Sequence, residues 1–440
     1  MSKQEPEPGL VFIKGLLDRR SIDAQDFDDS PWLFEQTIPA ADATAWMEHL
    51  HAETESRDWS ATGKTHCESR SNHGSHSVHT ESGQNARTLH IVWKRPRNGD
   101  LHVKAIPDKN FGIPADIAQG FMDAVSERYR SNTMSIDHRY NMLSYEGPAW
   151  RGELWLGDDI RLGPPSRFPP SPRGPQIVIV DAMVEGIGSL GIDRSFEKLV
   201  CVLRVFLASV LGIRTKVVKR FLDWVTEFDE KMRPINCEVK YVGYSEVGSD
   251  RSFPAKNAIP PMPREVVERP GIGRSGLSSD QREQWVPEDV EHLWQTLGSL
   301  SVEKKDDFLR AGNALLNAAA LWPDQRTTYA VFHVIACEAL KPRGKQYDDL
   351  NVYDIVASLI GIPQAEKLRT LAVPPQSVRN RHLHRGEVMA DEFSSMLLYD
   401  SFNDPSFDEM LHELSRVCQT CLVEWLRRMG EYEVIRLPRL

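Results

Sequence analysis

Cysteine is scarce in this chain. Six residues in 440 (Cys67, Cys201, Cys237, Cys337, Cys418 and Cys421) are too few and too scattered for a disulfide framework, so reduced thiols are expected. Positive charge is short as well. With 53 Lys and Arg against 63 Asp and Glu, the formal net charge is −10, which excludes a general nucleic-acid coat, because counterion release rewards basic surfaces. No stretch approaches the roughly 20 apolar residues of a membrane span, and the polar start MSKQEPEPG lacks the apolar core of a secretory signal. These absences predict a cytoplasmic protein with no membrane partner. What the chain does have is length for two or three domains and 40% apolar residues to fill their cores.

Two Pro-rich segments, Gly163–Pro175 and Gly248–Gly276, read as connectors, since proline removes backbone donors and fixes φ. The second marks a change of pattern. Before it, residues 1–247 mix strand-like and helical runs and predict an α+β domain, a candidate module for sensing or binding a partner. Leu89–Lys94 and Leu101–Ile106 flank Asn98-Gly99 and predict a β-hairpin. Ala43–Glu53, Pro114–Tyr129 and Arg194–Leu211 read as helices, and Gln176–Val184 and Cys237–Tyr244 as strands. The Ser/His-rich stretch Thr65–His90 has no periodicity and reads as a mobile loop. Residues 248–284 are the expected linker. From 285 to 440 the apolar spacing of three and four predicts an all-α bundle, with helices over Val286–Leu300, Phe308–Leu321, Tyr329–Leu340, Val352–Ile360, Val378–Met389 and Phe407–Met429.

Three patterns invite chemistry that their context opposes. Gly186-Ile-Gly188-Ser-Leu-Gly191 follows an apolar strand and precedes a helix, the setting a dinucleotide-binding turn requires. Glu185 and Asp193 would then crowd the pyrophosphate, so a Gly-rich turn is the plainer reading, and a nucleotide-binding regulator is a lesser alternative for the whole protein. His66, Cys67, His73, His76 and His79 have zinc-ligand chemistry but sit in Ser, Asn and Gly without a scaffold. Cys418 and Cys421 have CxxC spacing inside a helical pattern with no second pair, which predicts a buried helix face. No metal and no cofactor is therefore expected.

The segment Arg379-Asn380-Arg381-His382-Leu383-His384 is different. Pro374 and Pro375 stop the preceding chain, and Ser377 is a candidate N-cap for a helix through Met389. At about 100° per residue, Asn380 and His384 fall one turn apart on one face, with Arg379 flanking it. A guanidinium near a helix start suits phosphate, and an imidazole exchanges protons near neutral pH. Arg381 and Arg385, also four apart on the next stripe, are candidates to guide a phosphate backbone, with a solvated helix face as the ordinary alternative. Residues 285–440 carry 17 basic and 23 acidic side chains, so any RNA contact is expected in a local cleft.

The inner helix Tyr329–Leu340 with Glu338, the helix Val352–Gly361, then Arg379-Asn380-x-x-x-His384 and Gly386, resemble the ApeA-like branch of the HEPN superfamily over about 150 residues. The resemblance implies a HEPN-like helical bundle and a metal-independent endoribonuclease site made of Arg379, Asn380 and His384, completed by a homodimer through the bundle. It implies an RNA substrate, a role as a toxin or phage-defence effector, and a separate antitoxin or sensor chain. Gln376 stands where the family often has an aromatic residue, which weakens the assignment to the subfamily. HEPN bundles also serve as non-catalytic scaffolds; Arg379 would then pair with an acid such as Glu338, and His384 would be a satisfied interior histidine.

Overall fold

The computed structural model describes residues 33–67, 71–80, 87–96, 99–107, 112–165, 175–218, 221–228, 234–242, 252–265, 286–321, 325–386 and 405–438. A mixed α/β region with two antiparallel five-stranded sheets is followed by a helical region. The chain forms two compact units: residues up to Asp137 with Glu185–Ser195, and His138–Val184 with Phe196 onward. The region read as one α+β domain therefore divides internally, and its second sheet belongs to the same unit as the helices.

In the first unit, strands β1 (Phe34–Ile38), β2 (Ser60–Cys67), β3 (Ser71–His79), β4 (Thr88–Pro96) and β5 (Leu101–Pro107) lie in the order β1-β5-β4-β3-β2. The predicted hairpin is β4–β5, with Leu89 opposite Pro107 and Lys94 opposite His102. Alternation puts Leu89, Ile91, Leu101, Val103 and Val78 into a core with Trp46 and Leu50 of α1 (Ala43–Ser56) and Phe121 and Val125 of α2 (Ala115–Ser131). The Thr65–His90 stretch was expected to be a mobile loop; within it β3 and the start of β4 are paired strands instead. β4 supplies the apolar template, and Val78 opposite Leu89 fixes which face turns inward.

The second sheet runs β10-β6-β9-β8-β7, from Thr215–Val217, Ser135–Tyr145, Gln176–Gly186, Ile160–Gly163 and Leu154–Trp155. β11 (Phe221–Phe228) and β12 (Pro234–Val242) form a separate hairpin. Part of the expected linker is bound to this sheet: the amide of Met262 donates to Glu153 O and that of Glu153 to Pro260 O, both at 2.9 Å. Residues 266–284 lie outside the described residues. Arg264–Glu265 (β13) pairs in parallel with Val286–Pro287 (β14) ahead of the helices.

Helix α3 (Gly188–Phe206) ends in a π-helical turn, Leu207–Leu211. After it come α4 (Val290–Ser299), α5 (Val302–Leu321), α6 (Arg326–Glu338), α7 (Val352–Ile360), α8 (Ile362–Arg369), α9 (Pro375–Arg385) and α10 (Pro405–Arg427). Helix α7 is buried along eight of its nine residues, Asp354 and Ser358 among them, as expected of a helix enclosed by its neighbours. Asn351 and Asp354 close a capping box at its start, and the C-terminal tail covers it, with the Ile435 amide donating to Ser358 Oγ at 2.8 Å. Gly312 of α5 allows close approach to the π-helical turn; a Cβ there would stand 2.7 Å from Ser209 Oγ. Among the described residues, no helix is long and apolar enough to cross a membrane.

Candidate functional site

Helix α9 carries the predicted site. Its N-cap is Pro374 in an extended conformation, and Pro375 takes the first helical position, where its missing N–H would be unpaired anyway. Ser377 is thus inside the first turn and is not the N-cap, and no side chain caps this helix. Gly386, at φ +66°, closes the other end with its amide on His382 O at 2.9 Å, a left-handed cap that glycine makes without strain. The helix was expected to run through Met389; it stops at Arg385 instead, because Gly386 takes the left-handed conformation that ends it. Pro375 and Val378 are the buried anchors.

From that anchored face, Arg379 turns toward α6. Its Nη2 donates to Glu338 Oε2 at 3.2 Å, and its Nη1 donates to Asn380 Oδ1 at 3.1 Å. Gln376 Nε2 donates to the same Asn380 oxygen at 3.3 Å, and the Gln376 amide donates to Tyr353 Oη at 3.3 Å. Burial pushes the Tyr353 phenol above its usual range. Gln376 is therefore joined to Asn380 by its side chain and to Tyr353 of α7 by its backbone. The Arg379 Nε–H is buried and has no acceptor among the described residues.

His384 sits in the last turn of α9 and is exposed, as are Asn380, Arg381 and Arg385. The Arg379–Glu338 pair is the contact expected of a scaffold. The exposed His384 is not the interior histidine that reading expected. Structure thus brings Arg379, Asn380, Gln376 and Glu338 together and leaves His384 presented to solvent one turn along the Asn380 face.

The Gly186–Gly191 turn does join a strand to a helix, but the helix start is already occupied. Glu55 of α1 accepts from the Ser189 amide at 3.2 Å and also from its hydroxyl. A Cβ at Gly188 would stand 2.6 Å from that of Ala52. A carboxylate filling the helix N-terminus leaves no place there for a pyrophosphate. Among the histidines with zinc-ligand chemistry, His76 meets His51 edge to face, ring centroids 5.4 Å apart, and burial pulls it down to about 4. His79 Nδ1 lies 3.0 Å from Thr88 Oγ1. The side chains of His66, Cys67 and His73 lie outside the described set.

Sequence reading missed a second polar cluster, made by His138 of β6, Arg161 of β8, Asp181 of β9 and Glu153 just ahead of β7. Arg161 Nε donates to Glu153 Oε2 at 3.2 Å and its Nη1 to Asp181 Oδ2 at 3.1 Å, while Asp181 Oδ1 lies 3.2 Å from His138 Nε2. Glu153, Arg161 and Asp181 are all buried. Phe253 packs edge-on against both His138 and Trp155. Only a charge in an apolar strand could have signalled it, as Asp181 does within Ile177–Val184. Among the described residues, no group of three His, Cys, Asp or Glu is placed to hold a metal. No family model, no curated protein and no solved structure matches the chain.

Proposed function

We propose that this protein is a HEPN-type endoribonuclease that cleaves RNA without a metal, acting as a toxin or phage-defence effector through a homodimer of its helical region. The observation that carries the proposal is the Arg379 guanidinium, half-buried and held by Glu338 and Asn380 beside the exposed His384 face. A guanidinium so positioned suits a phosphate oxygen. The 2′-hydroxyl of RNA is a nucleophile already in the substrate, so the protein need supply only proton transfer and positive charge. His384 is assigned proton transfer, Arg379 phosphorane binding, and Asn380 the orientation of either group. Arg381 and Arg385 extend the basic surface of α9. The N-terminal region is assigned the sensing of a partner, by analogy alone.

A second reading has its own support. The ion pair to Glu338 is what a non-catalytic HEPN scaffold would keep for stability. Incubating full-length protein with total RNA and excess chelator separates the two. Cleavage that falls on the order of 10²–10⁴-fold in His384→Ala, with an unchanged circular dichroism spectrum, supports the enzyme. A stable dimer without cleavage supports the scaffold.

A further inference from the structure

The segment after α10 runs along α7 with no helix or strand of its own, and it is bound much as a peptide ligand would be. The amides of Ile435 and Leu437, two residues apart, donate to Ser358 Oγ at 2.8 Å and to Asp354 Oδ1 at 2.9 Å. Between them Arg436 donates to Asp349 Oδ2 at 2.7 Å and to the Gln346 carbonyl. Tyr432 Oη donates to the Leu340 carbonyl at 2.8 Å, and Arg369 of α8 to Pro438 O at 2.8 Å. The two sides of this contact differ. Asp354 and Ser358 are buried, one turn apart on α7, so their oxygens are costly to leave without donors. No residue from Glu431 to Pro438 is buried. The groove thus requires an occupant, while the segment that fills it is held mainly by polar contacts at the surface.

The junction with α10 supplies a hinge. Met429 has φ +53° and Gly430 φ +69°, with the Met429 amide on Leu426 O and the Gly430 amide on Trp425 O, each at 2.9 Å. A left-handed conformation suits glycine and costs a residue that carries a Cβ. Met429 bears that cost, although methionine is a strong helix former. Continuing α10 through Met429 would remove it and carry the following segment away from its own groove. We propose that the segment from Glu431 onward is exchanged between two copies of this chain, each seating its Tyr432-to-Pro438 stretch along the other's α7. A second copy is the partner that fits, because it carries the same tyrosine, arginine and spaced amides that the groove meets. Exchange re-forms each of these hydrogen bonds and relieves two hinges, which makes swapping a low-cost route to a dimer. It deepens the homodimer of the ribonuclease proposal by assigning it a contact, and its grounds are the groove and the hinge alone.

The test uses the unsubstituted full-length chain. Lys304 Nζ of α5 meets Glu431 Oε1 at 2.9 Å, an ion pair that a carbodiimide condenses to an amide with loss of water. Equal amounts of light and heavy-isotope protein are mixed in urea, refolded together, separated by size, diluted, cross-linked, digested and weighed. In the dimer fraction about half of the Lys304–Glu431 peptide pairs should join a light peptide to a heavy one, as random pairing of exchanged copies requires. Same-isotope pairs alone would overturn the proposal, as would the absence of any dimer. A dimer holding only same-isotope pairs would leave the ribonuclease reading its homodimer on another face, so the two failures are distinct. Hinge variants give a second measurement. Met429→Gly eases the closed turn and should raise the dimer dissociation constant severalfold. Gly430→Ala places a Cβ 2.6 Å from the Trp425 ring and should lower it. A constant unchanged in both variants would also overturn the exchange.

Discussion

Two groups of charged side chains in the same compact unit are built to opposite plans. On the second sheet, Glu153, Arg161, Asp181 and His138 form a continuous row, and three of the four are buried. On α9, Arg379 and Asn380 are joined by similar hydrogen bonds, yet Asn380 and His384 face solvent. Burial decides what such contacts are for. Inside the sheet each charge loses its hydration and depends on its neighbour, so the row holds strands together. On the helix rim, hydration remains available, the contacts contribute little to folding, and the groups can exchange a water for a substrate. A reading from residue types alone cannot separate these cases, because both contain an Arg, a His and a carbonyl or carboxylate partner.

The largest expected effect breaks the buried row. Asp181→Ala leaves Arg161 with one carboxylate and removes the partner of His138, and should destabilise the second unit by about 3–5 kcal/mol. Urea unfolding with hydrogen exchange at the amides of β8 and β9 reads it. Replacing Glu153, Arg161 and Asp181 together by apolar residues of similar size should recover most of that loss, since no charge is then stranded. If Asp181→Ala cost less than about 1 kcal/mol, the row would have to be hydrated and the contrast with α9 would fail.

Buried imidazoles sharpen the same contrast through pH. His333 of α6 is fully buried and drawn down to about 3, chiefly by desolvation, with its Nδ1 2.9 Å from Tyr329 O. His76 is drawn down to about 4 for the same first reason. In the unfolded chain both titrate near 6.5. Between those values the unfolded state binds the extra proton, so stability rises with pH and is lost as pH falls from 6.5 toward the folded values. Each histidine should contribute about 1.4 kcal/mol per pH unit across its own window. Urea midpoints measured from pH 7 to pH 4 should lose one such slope in His333→Gln. An unchanged slope in that variant would mean the interior is open to water.

The helices were legible because their signal is local. Val352–Ile360 matches α7 residue for residue, and the Pro374-Pro375 start of α9 was read correctly, while its end was overrun to Met389 because Gly386 was not read as the stop it is. Helix α8 was missed, since Ile362–Arg369 buries only Ala365 and Leu368 and so shows little periodicity. The strands within Thr65–His90 were missed for a different reason. Ser, His, Asn and Gly carry weak strand preference, and β3 depends on pairing with β4, a non-local fact. At the site, helical spacing placed Asn380 and His384 on one face, and Glu338 was named as a partner for Arg379. The Gln376–Asn380 bond is an i,i+4 contact that spacing allowed and the reading passed over. That Glu55 would close the Gly186–Gly191 turn was not legible, because it depends on an element brought there by the fold.

The smallest expected effects lie on the exposed side of α9. Asn380→Ala removes an acceptor that Arg379 and Gln376 share, yet in solvent it should change stability by no more than about 0.5 kcal/mol. Arg381→Ala and Arg385→Ala should be equally mild for folding. Under the ribonuclease proposal, each should weaken RNA binding uniformly across sequences and lower the slope of log affinity against log salt by about 0.7, the value for one phosphate contact on a single strand. A salt titration of binding, run with His384→Ala protein so that the RNA stays intact, reads the slope directly. A slope unaltered in both variants would assign Arg381 and Arg385 to an ordinary solvated helix face and restrict phosphate contact to Arg379.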